Sequence, residues 1–332
     1  MTKVARPISV IICAYTEARW DDLLAAVESV RRQTLPPDEI IVVIDHNPAL
    51  LARARSMIGG AQVIANSEAR GLSGARNTGL SVARGAIIAF MDEDAVAAED
   101  WLATLDTHYA EPEVVGAGGA IKAAWAHGRP SWFPEEFDWV VGCTYTGMPV
   151  APAPVRNLIG CNMSFRREVF ARAGSFKDGI GRIGTLPVGC EETELCIRLA
   201  QIWPQSVLRY DPQARVRHTV PAARARWGYF RSRCYNEGRS KALVAKLVGS
   251  RDGLATERSY TLRTLPLGVA RGIGDALRGD GAGLLRAGAI IAGLIVTTAG
   301  YGVGQVESLL EARRAPVTIA TAPEPASDTG SR

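Results

Sequence analysis

Residues 86–94 read Ala-Ile-Ile-Ala-Phe-Met-Asp-Glu-Asp. A short run of β-branched and apolar side chains without alternation predicts a strand buried on both faces, as in the centre of an α/β sheet. The run breaks into two carboxylates one residue apart, Asp92 and Asp94, with Glu93 between them. Ligands of open α/β sheets bind beyond the carboxyl ends of the strands, so this D-x-D triplet stands where a site is expected. Two carboxylates so spaced can hold a hard divalent cation, which in turn can hold a diphosphate. The competing reading is that these acids only cap a helix beginning near Asp100.

Outward from this strand the same pattern repeats. Ile8–Cys13 is a second apolar, β-branched run, and Leu23, Leu24, Val27 and Val30 then recur at helical spacing from Asp22 to Gln33, with Pro36-Pro37 as a stop. Strands are predicted at Glu39–Asp45 and Ala61–Asn66, and a helix at Gly74–Arg84 feeds the strand at Ala86–Met91. Alternating β and α over the first hundred residues predicts a parallel, doubly wound sheet. The other strand ends are polar too, opening into Ala14-Tyr15-Thr16-Glu17 and Asp45-His46-Asn47. Between Ala69 and Gly79, glycines free the backbone around a helix start, and Arg70 and Arg76 can face an anion; the bland alternative for Arg76 and Asn77 is a solvated helix face. No G-x-G-x-x-G follows the first strand and no G-x-x-x-x-G-K-[ST] occurs, so neither a Rossmann dinucleotide site nor a P-loop is supported.

At 332 residues and 35.5 kDa, a main domain plus an accessory segment is expected. Hydrophobic residues at 47%, charged residues at 22% and a mean hydropathy of +0.03 exclude a mostly disordered chain, a coiled coil and a polytopic membrane protein. The net charge of +4 is unevenly spread: residues 215–286 carry 15 Arg/Lys against 5 Asp/Glu, a local +10 that leaves −6 elsewhere. That asymmetry points to an anionic partner for the C-terminal third. The six cysteines form no C-x-x-C pair and read as reduced, structural thiols. The first residues lead into a strand with no long apolar leader, so the main domain is expected in the cytoplasm.

Taken in order, these motifs resemble the inverting glycosyltransferases of family 2, which have the GT-A fold, a Rossmann-like mixed sheet that binds nucleotide-diphospho-sugars. Ala14, Tyr15, Glu17, Gln33-Thr34, Pro36 and Asp45 meet the opening pattern of that family, with Thr16 in place of the usual Asn. Ala75–Gly79 meets its A-R-N-x-G element and Asp92–Asp94 its D-x-D. Gly160-Cys-Asn-Met-Ser-Phe-Arg-Arg167 and Glu191-Glu-Thr-Glu-Leu-Cys-Ile-Arg-Leu199 resemble two further segments, so the likeness covers about residues 7–220. The resemblance implies that Ala14, Tyr15, Glu17 and Asp45 surround the nucleoside, with Glu93 beside them. It implies Arg76 near the diphosphate, Asp92 on the ribose or metal side, and Asp94 as a direct ligand of Mn²⁺ or Mg²⁺. It places Glu192 as catalytic base, where Glu stands for the family's Asp and Glu191 is the fallback, and His218 where a third metal ligand is expected, a structural histidine being the alternative. Glu194 and Arg198 are spaced for a structural i,i+4 ion pair.

The chemistry asks for the same groups. Displacing a nucleoside diphosphate from an anomeric carbon builds charge on the leaving phosphate, and the acceptor hydroxyl must give up a proton to a carboxylate on the other face. The acceptor side is expected among the aromatic residues of 123–157, with Trp132, Asn162 and Arg226 as candidates; the stretch reads equally as an active-site lid or as a satellite core. Arg224, Arg226, Arg231, Arg233, Arg239 and Lys241, mixed with aromatics, fit an amphipathic helix against anionic lipid, or contact to a phosphate-linked lipid acceptor, better than nucleic acid. Residues 287–306 carry no charge and are long enough to span a bilayer, but five glycines and two threonines make the segment weakly hydrophobic and favour an interfacial or buried hairpin over a span.

The expected organisation is therefore a GT-A domain over 1–222, a basic and apolar helical region over 223–311 that associates with a membrane, and a disordered tail over 312–332. The expected function is metal-dependent, inverting transfer of a sugar from a nucleotide-sugar donor, UDP-linked by family habit, to a glycan or lipid-linked acceptor at the cytoplasmic face of the membrane. A nucleotidyltransferase and a non-catalytic sugar-nucleotide-binding protein are the alternatives.

Overall fold

The computed structural model describes residues 6–178, 189–249 and 257–314. The Val/Ile-rich run Ile8–Ala14 forms β1, buried at every position and flanked by parallel neighbours on both edges, β2 (Glu39–Ile44) and β4 (Ile87–Asp92). β3 (Gln62–Ala65) continues the parallel order beyond β2. All four strands lie within one residue, at each end, of the positions predicted from the apolar runs. Helices α1 (Trp20–Arg31), α2 (Pro48–Met57) and α3 (Leu72–Val82) connect them. The sequence reading did not find α2: it buries only Leu50 and Ala54, and its clearest mark is Asn47, whose side chain accepts from the Leu50 N–H at 3.0 Å.

The sheet then leaves the all-parallel pattern that alternation alone predicted. β8 (Asn162–Arg166) runs antiparallel to β4, β6 (Val114–Trp125) antiparallel to β8, and β9 (Val207–Val220) parallel to β6. The order is β3-β2-β1-β4-β8-β6-β9-β5, with β5 at Ala95–Ala97 and β7 (Ala153–Pro154) paired to β9. Only the first strands are joined by single crossover helices, the connection that imposes parallel direction. β4 reaches β8 through β5, α4 (Trp101–His108), β6 and a long aromatic stretch, so its direction is free. The result is the mixed sheet implied by the resemblance. Short helices α5 (Arg167–Ala173) and α6 (Glu191–Ile202) separate β8 from β9.

The C-terminal region packs onto this domain through α7 (Trp227–Val248), α8 (Leu265–Leu277) and α9 (Ala282–Arg314). Phe133, Phe137, Val140 and Val141 are buried together with Phe230, and the Phe137 and Phe230 rings lie 5.3 Å apart. Most of the aromatic stretch is therefore a satellite core under the helices rather than an open lid. The glycines of α9 have a packing purpose: a Cβ on Gly300 would collide with the Tyr235 carbonyl, and one on Gly304 with Ala242, so the two backbones of α7 and α9 touch. The basic segment 224–241 is likewise not a surface-lying helix, because Phe230 and Cys234 are buried and Arg224 points into the domain. Ala282–Leu310, whose most apolar 18-residue stretch has a mean hydropathy of 1.7, is long and apolar enough to cross a membrane. Helix α9 continues to Arg314, past the predicted start of the tail, and residues 315–332 lie outside the described residues.

Candidate active site

Strand register assembles the acidic site. β4 ends at Asp92, the chain turns at Glu93-Asp94, and β5 pairs antiparallel with β9 so that Ala95 lies opposite His218. His218 Nε2 consequently sits 3.1 Å from Asp94 Oδ1, and one ligand atom from each of Asp92, Asp94 and His218 lies within 4.8 Å of the others. The triplet does not cap α4, whose N-cap position is Asp100. Arg19 contacts Glu93 at 2.6 Å and Asp94 at 3.0 Å, and Arg224 approaches Asp94 at 3.7 Å. Burial alone would raise the Asp94 pKa, but His218, Arg19 and Arg224 hold it below the usual carboxylate range, so the group is ionised. Neither arginine was found from the sequence as a site residue. Arg224 was read with the basic helix, and only its closeness to His218 in the chain could have marked it.

Beside the triplet lies a narrow cleft of about 60 Å³. Of the residues expected around a nucleoside, Ala14, Tyr15, Asp45, Asp92 and Glu93 line it. Asp45 is fixed by the Asn66 amide at 2.7 Å and the Gly71 N–H at 3.1 Å, the latter donated from a residue at φ 131° that favours glycine. Glu17 does not line the cleft. It is exposed on a 3₁₀ turn, 3.8 Å from Arg53, because Thr16 accepts from the Ala18 N–H and turns the chain outward. His46, with φ 47°, ends its strand and bonds the Glu68 carbonyl at 2.9 Å.

Arg76, expected near the diphosphate, forms an internal bridge. Its guanidinium is 2% exposed and bonds Glu191 at 2.7 Å, the Gly160 carbonyl at 3.2 Å and Asp92 at 3.4 Å. It therefore has its acceptors inside the protein and ties the end of β4 to the start of α6. Glu191 is committed to that bridge. Glu192, the next residue, instead faces a cavity of about 580 Å³. Burial, and then the neighbouring Glu191 charge, push the Glu192 carboxyl up to about 8. Glu194 makes the expected pair with Arg198, in a two-pronged contact at 2.7 and 2.8 Å.

The large cavity is walled by Tyr145, Ile159, Tyr260 and Leu294 and also lined by Arg156, Arg233, Glu237, Lys241 and Glu257. None of the three acceptor candidates lines it. Trp132 packs in a ring cluster, 5.3 Å from Trp227 and 5.6 Å from Phe230. Asn162 is fully buried: its amide donates to the Ala120 and Ala214 carbonyls and its oxygen accepts from Trp101, so it is a core strut. Arg226 is exposed at the N-cap of α7. Of the cavity residues on α7, Arg233 and Lys241 belong to the basic series noted in the sequence, while Glu237 and the residues of α9 escaped sequence reasoning because helical packing, not chain proximity, brings them to Glu192.

The sequence profile of glycosyl transferase family 2 matches residues 9–174. The glucosyl-dolichyl phosphate glucuronosyltransferase of Haloferax volcanii is 35% identical over 241 residues, covering 71% of this chain and 77% of that protein. The succinoglycan biosynthesis protein ExoM of Rhizobium meliloti is 23% identical over 255 residues, covering 74% and 77%. Among solved structures, the mannosyltransferase PcManGT of Pyrobaculum calidifontis, in complex with GDP-Man and Mn²⁺, superposes with a TM-score of 0.54 at 18% identity over 89% of this chain and 88% of its own. GalNAc-T7 with UDP, GalNAc and Mn²⁺ gives 0.51 at 16% identity over 79% and 57%. These two establish the GT-A fold. With strand order, acidic triplet and profile in agreement, the chain belongs to glycosyl transferase family 2.

Proposed function

We propose that this glycosyltransferase moves a sugar, with inversion, from a nucleotide donor seated in the acidic cleft to a hydroxyl of a lipid-linked saccharide seated in the large cavity. The observation that carries the reading is the Arg76 bridge. One buried guanidinium joins Asp92, which lines the cleft, to Glu191, whose neighbour Glu192 lines the cavity, so a single side chain links the walls of the two chambers. An acceptor entering from the cavity approaches the sugar from the side away from the leaving group, as inversion requires.

Asp92, Asp94 and His218 offer two carboxylates and an imidazole, a donor set that suits Mn²⁺ or Mg²⁺, and the ionised state of Asp94 fits such a ligand. A cation held by these three residues would supply charge neutralisation to the departing diphosphate. Asp45, with its two fixed oxygens, orients the nucleoside, UDP being the favoured donor class. Glu192 takes the acceptor proton; its raised pKa makes it a strong base that is still part-ionised near neutrality. Arg76 and Glu191 position these groups.

The acceptor class is supported by the relative that uses a dolichyl phosphate glycoside, and by the exposed apolar residues of α9 that suit attachment to the cytoplasmic face of a membrane. Calorimetric titration with UDP, GDP and dTDP, with and without Mn²⁺, tests the donor half. Binding of one nucleotide that needs both the metal and Asp94, and is lost in Asp94→Ala, is expected. Absence of metal-dependent binding to all three refutes the reading.

A further inference from the structure

His218 lies on β9 between two neighbouring strands. Its backbone pairs with Ala95 of β5 on one side and Ala123 of β6 on the other, so the sheet fixes where its ring begins. One edge of that ring turns Nε2 toward Asp94 Oδ1, at 3.1 Å. The other turns Nδ1 toward the Cys143 sulfur, at 3.8 Å, within reach of a hydrogen bond to sulfur. Cys143 is 1% exposed, so bulk water does not compete for Nδ1.

The backbone around Cys143 is pinned on both flanks. The 3₁₀ turn Glu135–Val141 ends at Gly142, whose φ of 80° lies in the left-handed region that favours glycine. The chain doubles back there, and the Cys143 N–H donates to the Asp138 carbonyl at 3.0 Å. On the other flank the Thr144 N–H donates to the Ile121 carbonyl at 3.0 Å, while the Thr144 hydroxyl accepts from the Ile121 N–H at 2.9 Å. A thiol carries one hydrogen, and Cys143 donates it to the Val141 carbonyl at 3.8 Å. Burial pushes the thiol pKa above its ordinary value, so that hydrogen stays on the sulfur. Toward His218 the sulfur can therefore only accept, and the hydrogen between them belongs to Nδ1. Nε2 is left as the nitrogen that converges with Asp92 and Asp94.

We infer that Cys143 is the positioning residue of His218: by accepting from Nδ1–H it holds the ring at one angle and in one tautomer, with Nε2 aimed at a cation shared with Asp92 and Asp94. This deepens the proposed function and rests on its reading of those three residues as a metal site. A histidine that binds a metal through one nitrogen needs its other N–H tied down, most often by a carboxylate or a carbonyl. A thiol does this without adding charge to a cleft already lined by Asp92, Glu93 and Asp94.

The test is Mn²⁺ titration of the full-length protein without nucleotide, together with ¹⁵N spectra of the histidine rings. Cys143→Ala and Cys143→Val both remove the acceptor, the first leaving space and the second filling it, and both are expected to weaken Mn²⁺ binding about tenfold or more. Thermal melts establish that each variant is folded. With Zn²⁺ as a diamagnetic probe, the parent is expected to show His218 with its hydrogen on Nδ1 and the metal on Nε2; the chain has four histidines, and His218→Asn identifies the signal by its loss. Mn²⁺ affinity within threefold of the parent in both variants, or metal on Nδ1, would overturn the inference. Weakening in only one variant would assign the effect to packing and overturn it as well. A parent that takes up no Mn²⁺ refutes the metal reading of the proposed function and this inference with it, whereas a parent that binds Mn²⁺ no more tightly than its variants refutes this inference alone.

Discussion

Glu192→Gln separates two consequences of one buried carboxyl. The substitution keeps the shape and removes the ability to take a proton, so kcat should fall by about 10²–10⁴ with donor KM nearly unchanged, the range for a positioned general base. In the parent enzyme kcat/KM should rise with pH, up to tenfold per pH unit, and level off above about 8, because the working form is the ionised one. The variant should be flat over the same range. Stability moves the other way. The folded-state pKa lies above the ordinary 4.5, so the native state binds the proton more tightly than the unfolded chain, and stability is lost as pH rises from about 4.5 through about 8. That loss is about 5 kcal/mol when complete. Gln carries none of it, so the variant should melt higher than the parent at pH 9, by about 3–6 °C for a chain of this size, with the gap closing toward pH 5. Glu191→Gln should instead melt lower than the parent, because it removes the charged partner 2.7 Å from the buried Arg76 guanidinium, at a cost of about 3–5 kcal/mol. Scanning calorimetry and initial rates over pH 5–9 read both quantities. If Glu192→Gln melts no higher at alkaline pH and keeps more than a tenth of the activity, the assignment of the base fails.

Three further outcomes follow from the packing. Arg76→Met should lower stability by about 3–5 kcal/mol in thermal melts, since it leaves Glu191 buried without its cation and frees the Gly160 carbonyl. Gly300→Ala should destabilise, despite a helix-propensity gain of about 1 kcal/mol, because the methyl meets the Tyr235 carbonyl; Gly302→Ala, with nothing within 4 Å, should stabilise by about 0.5–1 kcal/mol, and equal shifts for the two would refute the close contact of α7 and α9. In flotation assays the protein should bind vesicles rich in anionic lipid and release with rising salt, while Ile291→Ser with Ile295→Ser should weaken binding at every salt concentration.

The parallel half of the sheet was legible because burial on both faces writes itself as uninterrupted Ile and Val, as in Ile8–Ala14 and Ile87–Phe90. The antiparallel half was not, since strand direction is set by what the connections traverse and no local run encodes it. The acidic cluster was visible as residues and invisible as an arrangement: Asp94 and His218 stand 124 positions apart in the sequence, and only the pairing of Ala95 with His218 brings them together. Arg19 and Arg224 carried no motif, yet they pin Asp94. The glycines of 287–306 looked like a weakness in an apolar segment, whereas their meaning lies in the partner helix that they admit.

The contact between α7 and α9 has a consequence for which hydroxyl can react. Helix α7 supplies Arg233 and Lys241 to the cavity, and α9 carries exposed apolar residues such as Ile291 and Ile295. Were those residues to rest on a membrane, as proposed, the contact of the two backbones would set how far the cavity stands above the lipid. Reach would then be a property of the backbone, and a hydroxyl would be chosen by its distance from the bilayer as well as by its stereochemistry.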